Sequence, residues 1–248
     1  MLDYLDYKYR KKLKSIDIKK ELKIIDNKGY VPTIRAGNTG IGHTIQDQLG
    51  ISENNDKFPD FLYKFKPIEL KSKRRLSTSR ISFFTDTPIW EPLNALNILN
   101  NFGYMSNNRL SLYCSMSVGR ICKQGFVMDL NLTENKLFII KNKYGKICYF
   151  NYSDLLKIMK KKNNYLLLVI ADNQIINSVE HFTYNEALLY SNFKKKAFTD
   201  LLLNRKIICD FRMHAQPSGL SARDHNLALR THQKYLEILY EKKEKYYP

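Results

Sequence analysis

The chain has 248 residues, 44% of them apolar, enough to bury a sizeable core, and Lys plus Arg outnumber Asp plus Glu by 41 to 24. The formal charge of +17 makes a polyanion the obvious partner; an AT-rich genome, which inflates Lys along with Asn, Ile and Tyr, is the competing source of the same excess. No stretch approaches the roughly 20 apolar residues that span a bilayer, the opening MLDYLDYKYRKKLK lacks a signal-peptide core, and Cys114, Cys122, Cys148 and Cys209 have neither CxxC nor zinc-ligand spacing, so the expectation is a cytoplasmic protein with no membrane association and reduced, structural thiols.

Residues 1–28 space Leu, Ile and Tyr three and four apart, as an exposed amphipathic helix or two would. RAGNTGIG (residues 35–42) reads as a glycine-containing loop feeding a helix of about ten residues, HTIQDQLGI, that stops at Gly50. After the polar SENNDK, the segments DFLYKF, IELKSK and RISFFT read as successive strands of a meander or hairpin pair, separated by Pro67 and KRRLSTS. LNALNILNNFGYM reads as helix and LSLYCSMSV and GFVMDLNL as strands, while KLFIIKN and KICYFNY form a hairpin turning at Tyr144 and Gly145. YSDLLKIMKKK is a short helix with Ser153 or Asp154 as N-cap, and NYLLLVIADNQI is a buried strand. Residues 181–203 read as helical or mixed, RKIICDFRM as a strand, and LALRTHQKYLEILYEKK as a closing helix with apolar positions at Leu227, Leu229, Tyr235, Leu236, Ile238 and Leu239. With no internal repeat and no low-complexity linker, the spacing predicts one domain over residues 1–248.

The informative chemistry is Pro59-Asp60 followed by Glu69-Leu70-Lys71. On a strand Glu69 and Lys71 project from one face while Ile68 and Leu70 enter the core, so two acids and a lysine can converge. Phosphodiester hydrolysis needs hard oxygen ligands for Mg²⁺, which Asp60 and Glu69 supply, and a group that orients or deprotonates the attacking water. Lys71 fills that role provided its surroundings lower its pKa. The local pattern alone is weak, since an acid two residues before a lysine also occurs at Asp6/Lys8, Asp17/Lys19, Glu21/Lys23, Asp26/Lys28, Glu134/Lys136 and Glu241/Lys243, mostly on expected helices or turns. The apolar bracket and the upstream Pro-Asp set residues 59–71 apart.

The series GNTGIGHTIQDQLGISENN, PDF, IELKSKRR and SRISFFT, together with DFRMHAQPSGLSARDHNLALR near the C-terminus, resembles the MvaI/BcnI group of type II restriction endonucleases, relatives of the MutH nickase in the PD-(D/E)xK superfamily. The resemblance covers residues 35–90 and the C-terminal segment, not the middle third. It implies an α/β (α+β) fold, with a mixed central β-sheet flanked by helices, a catalytic core mainly over residues 30–130, and an inserted or C-terminal DNA-recognition part mainly over 200–235. It also implies that Asp60, Glu69 and Lys71 are catalytic, that the helix over residues 44–49 packs beside them, and that the enzyme is a monomer cutting pseudo-palindromic CC-N-GG sites by sequential nicking. Where relatives such as MutH carry a glutamate on that helix, this chain has Gln46, which can hydrogen-bond a metal-bound water but brings no charge.

For DNA contact, Arg35, Asn38, Thr39 and His43 flank a helix N-terminus suited to phosphate, although a plain N-cap turn explains them equally. Lys73, Arg74 and Arg75 follow the catalytic strand and are candidates for phosphates beside the scissile bond, or form a basic exposed turn. Asp210, Arg212, His214, Arg223, Asp224, His225 and Arg230 have the side chains that read G·C pairs in the major groove; their alternative is helix capping and phosphate contact. The expectation is a Mg²⁺-dependent nuclease, with Mn²⁺ as a substitute, that acts on double-stranded DNA without an obligate protein partner, in a host whose neighbouring genes encode a protecting methyltransferase. The competing readings are a MutH-like repair nickase and a catalytically inactive DNA-binding protein on the same fold.

Overall fold

The computed structural model describes residues 13–52 and 58–247; the first twelve residues of the amphipathic stretch, with the Asp6/Lys8 pair, and most of SENNDK lie outside them. In chain order the elements begin α1 (Ile18–Asn27), β1 (Val31–Pro32), α2 (Gly40–Gln48), β2 (Phe61–Tyr63), β3 (Lys66–Arg74), β4 (Ile81–Asp86), β5 (Ile89–Trp90) and α3 (Ala95–Phe102). There follow β6 (Tyr104–Ser106), β7 (Arg109–Met116), β8 (Phe126–Asn131), β9 (Lys136–Lys141), β10 (Gly145–Asn151), α4 (Tyr152–Asn163), β11 (Tyr165–Ile176) and β12 (Val179–Phe193). The chain closes with α5 (Lys195–Leu203), β13 (Ile207–Ala215), β14 (Ala222–Asp224), β15 (Leu227–Thr231), α6 (Leu236–Leu239) and β16 (Tyr240–Tyr247).

These elements fall into two compact units, Met1–Ser79 with Lys160–Lys194 and Leu236–Pro248, and Arg80–Met159 with Lys195–Tyr235. The chain therefore leaves the first unit twice, after β3 and after β12, and returns each time. The residues expected to form the catalytic core, 30–130, are shared between the two units.

The first unit holds a mixed sheet in the order β1-β12-β11-β3-β2, with β16 also on β12. β3 and β11 run parallel from Leu166↔Glu69 to Ala171↔Arg74, and the other pairings are antiparallel. β11 and β12 are joined through Asn177 and Ser178 at φ 50 and 63, the geometry of a two-residue type I′ turn. Every residue of β11 from Leu166 to Ala171 is buried, as a strand covered on both faces requires. On one face Ile68, Leu70, Leu167, Val169, Phe182 and Tyr184 share a core with Ile41 and Ile45 of α2 and Leu22 and Ile25 of α1. Asp17 starts α1 by accepting from Lys20 N, and the spacing of Ile18, Leu22 and Ile25 turns one stripe inward. The second unit holds two antiparallel sheets, β4-β15-β13-β7-β6 with β14 on β13, and β5-β10-β9-β8.

Three expectations are corrected. RISFFT does form a strand, β4, but it pairs with β15 in the second unit and not with β3, so the β2–β3 hairpin gains no third strand from it and KRRLSTS carries the chain away. Residues 181–203 are mainly strand: β12 runs to Phe193 and only then does α5 begin, because Phe182, Tyr184 and Ala187 to Tyr190 are buried in the central sheet and outweigh local spacing. LALRTHQKYLEILYEKK is not a helix. Leu227, Ala228 and Leu229 are buried between β13 and β4, Leu236 and Leu239 sit on a four-residue helix, and the charged remainder is the edge strand β16. Lys and Glu on an edge strand shield it from unwanted pairing and mimic the solvated face of a helix.

Candidate active site

The hairpin of β2 and β3 pairs Phe61↔Ile68 through Tyr63↔Lys66, with Lys64 and Phe65 at positive φ in its turn. Continuing that register sets Asp60 beside Glu69. Asp60 N donates to Ile68 O at 2.9 Å, and Leu70 N donates to Asp60 Oδ2 at 2.7 Å, so backbone amides hold the carboxylate at the strand. Lys71 Nζ donates to Glu69 Oε1 at 2.5 Å. Ile68 and Leu70 enter the α2 core while Glu69 and Lys71 take the opposite face, alongside Leu166 and Leu168 of β11. Glu69 is 1% exposed, and among the described residues only it and Asp210 are buried acids. None of the other described acid–lysine pairs buries its acid.

Glu69 Oε2 is buried with no hydrogen-bond partner, although Lys162 Nζ, from the end of α4, stands 3.7 Å from Oε1. Burial and then the adjacent Glu69 carboxylate push the Asp60 carboxyl up to about 7, against the pull of Lys71. Burial works against the charge of Lys71, but Glu69 and Asp60 outweigh it and hold its pKa above the ordinary value. The lowered pKa that a lysine base would need is therefore not supplied by these neighbours, which hold Lys71 as an ammonium. Two hard carboxylates, one with an orphaned oxygen and the other reluctant to ionise, fit a divalent cation of the Mg²⁺ class. No group of three or more His, Cys, Asp or Glu that could hold a metal exists among the described residues.

The loop before α2 is shaped by glycine. Gly37 has φ +85, and a Cβ on Gly40 would collide with the Arg35 carbonyl and the Thr33 hydroxyl. Arg74 clamps this loop: its guanidinium donates to Gly37 O at 3.1 Å and Asn38 O at 3.4 Å while pairing with both oxygens of Glu180 at 2.6 Å. Thr39 occupies the N-cap position of α2 without a side-chain cap bond, and Arg35 and His43 hydrogen-bond each other. Gln46 is half-buried and lines a cavity of about 370 Å³ with Arg35, His43 and Asp47. Among the described residues no hydrogen bond joins Gln46 to Asp60, Glu69 or Lys71. Arg75 is committed to Asp172, Glu186 and Asn185, so Arg74 and Arg75 both spend their charge within the unit. Lys73 is half-buried, and that burial lowers its pKa.

In the second unit Asp210 accepts from Ser115 Oγ at 2.6 Å and from Arg230 Nη1 at 2.8 Å, while Arg230 Nη2 donates to Arg80 O at 3.0 Å. Arg212 Nη2 donates to His225 O at 2.9 Å, its Nε is buried without a partner, and burial lowers its pKa. His214 Nδ1 meets Tyr113 OH at 3.0 Å, and its ring lies 5.3 Å from that of His225. Burial first, then nearby arginines, lower the pKa of both histidines. Arg223, opposite His214 in the β13–β14 ladder, is exposed, and Asp224 Oδ1 accepts from Asn226 N at 2.8 Å. The sequence candidates thus form one connected group around β13, β14 and β15.

The model of the MvaI/BcnI restriction endonuclease family matches residues 19–240. The chain belongs to that family. It is a type II site-specific deoxyribonuclease with a PD-(D/E)xK-type fold. Restriction endonuclease MvaI in complex with its cognate DNA substrate is 24% identical, with a TM-score of 0.80 over 92% of this chain and 96% of that one. MvaI in the absence of DNA is 21% identical, with a TM-score of 0.51 over 92% and 95% of the two chains. No curated protein matches.

Sequence reasoning missed several residues of this MvaI/BcnI family member. Lys162 sits in a KKK run that lysine abundance made uninformative, and only the end of α4 brings it to Glu69. Glu180 carries no local signal, yet it fixes Arg74 and through it the loop. Ser115 and Tyr113 lie on β7, in the middle third where the family resemblance was not legible.

Proposed function

We propose that the chain hydrolyses double-stranded DNA with Mg²⁺ held by Asp60 and Glu69, Mn²⁺ being able to substitute, and with Lys71 as the third catalytic group. The observation that carries this reading is the buried Glu69, its Oε2 unpartnered, beside an Asp60 carboxyl pushed up to about 7. The cation, when bound, supplies Lewis-acid stabilisation of phosphoryl charge and an acidified water. The protein's own part is to place its groups. Asp60 is held in register by Leu70 N, Glu69 is fixed by Lys71, and the Lys71 ammonium lies where it orients a water and offsets charge growing on the phosphate. Lys162 adds a second cation against Glu69.

Family membership and the Arg, Asp and His side chains around β13 support a G·C-rich, pseudo-palindromic CC-N-GG site read in the major groove. Arg212 and Arg230 are the proposed guanine readers; each has a buried Nε without a partner, and Asp210 positions Arg230. A single chain on such a site cuts the strands one after the other, as a monomer, in the cytoplasm where the DNA lies. Its host then needs a methyltransferase for the same sequence, encoded nearby, because an unmodified genome would be cut. Incubation of the purified chain with supercoiled plasmid and Mg²⁺, followed by sequencing of the ends, tests this reading. Discrete ends at one CC-N-GG sequence, with nicked circles before linear product, are expected. Nicking that never proceeds to a double-strand break marks a repair nickase, and intact plasmid with every divalent metal marks an inactive binder; either outcome overturns the proposal.

A further inference from the structure

The second unit contains a cavity of about 340 Å³ lined by Arg80, Arg120, Lys123 and Arg205 with Ser115 and Ser117, and no Asp or Glu lines it. The sequence uses arginine eleven times against thirty lysines, so three arginines in one cavity are not explained by the general lysine excess. Among the described residues none of the four cations makes an ion pair, unlike Arg74 and Arg75, whose charges are met by carboxylates. All four are exposed. Arg205 is also pre-positioned: it has φ 61, a conformation few L-residues adopt, and its Nε donates to Val118 O at 3.1 Å. A concentration of unpaired guanidinium groups repels itself until an anion with several acceptor oxygens enters, and phosphate is the anion whose geometry guanidinium matches.

We infer that this cavity holds a phosphate group of the DNA backbone beside the base pairs being read. Two of its residues are joined to the proposed reading group: Ser115 donates its hydroxyl to Asp210, and the Arg80 carbonyl accepts from Arg230. A backbone phosphate there is held next to the side chains that face the bases, which favours DNA over a free phosphoanion of the same chemistry. The inference rests on the DNA-cleaving reading above and adds Arg80, Arg120, Lys123 and Arg205 to it.

The test is fluorescence anisotropy with CC-N-GG and unrelated duplexes, in Ca²⁺ to prevent cleavage, over a salt series, for the wild type, an Arg120→Ala/Lys123→Ala double variant and Arg120→Lys. Each lost phosphate contact lowers the slope of log affinity against log salt by about 0.9. The double variant, which gives up the one phosphate held here, should therefore lose roughly 3.5-fold less affinity than the wild type between about 50 and 200 mM salt, equally for both duplexes. Arg120→Lys, which keeps the charge, should retain the wild-type slope. An unchanged slope in the double variant, or a loss confined to the CC-N-GG duplex, overturns the inference. Inorganic phosphate supplies a second arm: if it raises the melting temperature of the wild type and not of the double variant while the DNA slope stays unchanged, the cavity serves a free phosphoanion and the backbone assignment falls. A wild type that shows no salt-dependent affinity for either duplex defeats the nuclease reading itself, which separates the two failures.

Discussion

Glu69 gathers its surroundings into one function: a buried acid with an orphaned oxygen is stable only where cations meet it, and Lys71 and Lys162 approach it from two elements. Replacing Glu69 by Gln or Lys71 by Met is expected to reduce cleavage by at least about a hundredfold while duplex binding in Ca²⁺ changes little, as read by single-turnover cleavage and anisotropy. Lys162→Met should slow cleavage less than Lys71→Met does, because its ammonium stands 3.7 Å from the carboxylate and not in a 2.5 Å hydrogen bond. Equal losses would place Lys162 on a par with Lys71. A second residue-scale expectation concerns pH. The Arg74 hydrogen bonds hold the Glu180 carboxyl below its ordinary value of 4.5. The folded form therefore binds this proton less readily than the unfolded chain; the pair stabilises fully above about pH 4.5, and the gain is lost as pH falls through the lowered folded value. Urea unfolding of wild type and Glu180→Gln should differ by roughly 1 kcal/mol near pH 7 and converge as pH falls below the lowered folded value; a gap that persists in acid would show that the carboxylate charge is not the source.

At the level of elements, β11 is the strand on which the proposed catalytic face depends. Leu168 lies opposite Lys71 in the parallel ladder and is fully buried, so Leu168→Ala should lower unfolding free energy by about 2–5 kcal/mol, measured by denaturant titration. Gly40→Val should lower the melting temperature and disturb the loop held by Arg74, because a side chain there meets the Arg35 carbonyl. The same elements explain what could be read in advance. The β2–β3 hairpin, α2 and β11 were legible because a continuous apolar run, a strand alternation and a Gly stop are local signals. Asp60, Glu69 and Lys71 stood out from the other acid–lysine pairs by their apolar bracket, which is the sequence trace of the burial seen here. β12, β15 and β16 were not legible: their burial and pairing come from strands far away in sequence, and the alternating Lys and Glu of β16 serve a sheet edge as well as a helix face. Lys162 and Glu180 were hidden for the same reason, their partners being about 90 and 106 residues distant.

For the whole molecule, the +17 charge is spent unevenly. Arg74, Arg75 and Arg230 hold the protein to itself, while Arg80, Arg120, Lys123 and Arg205 carry charge that no described carboxylate meets. If one chain cuts each strand in turn, sedimentation with and without a short cognate duplex should show one protein chain of 29.3 kDa per complex, and plasmid cleavage should pass through a nicked circle. A second chain in the complex would overturn monomeric action.

The path of the chain through its first unit carries one more implication. β3, with Glu69 and Lys71, has β11 as its parallel neighbour, and between them runs the whole of residues 80–159; β16 is the last strand of all. During translation the ribosome delivers Asp60, Glu69 and Lys71, the proposed catalytic side chains, well before the strand that flanks them, before Lys162, and before β16. A polypeptide that has reached only residue 159 therefore carries the proposed cleavage groups without the strand and the cation that flank them. A copy that stops before residue 160 lacks β11 and Lys162, so it should show none of the proposed cleavage activity.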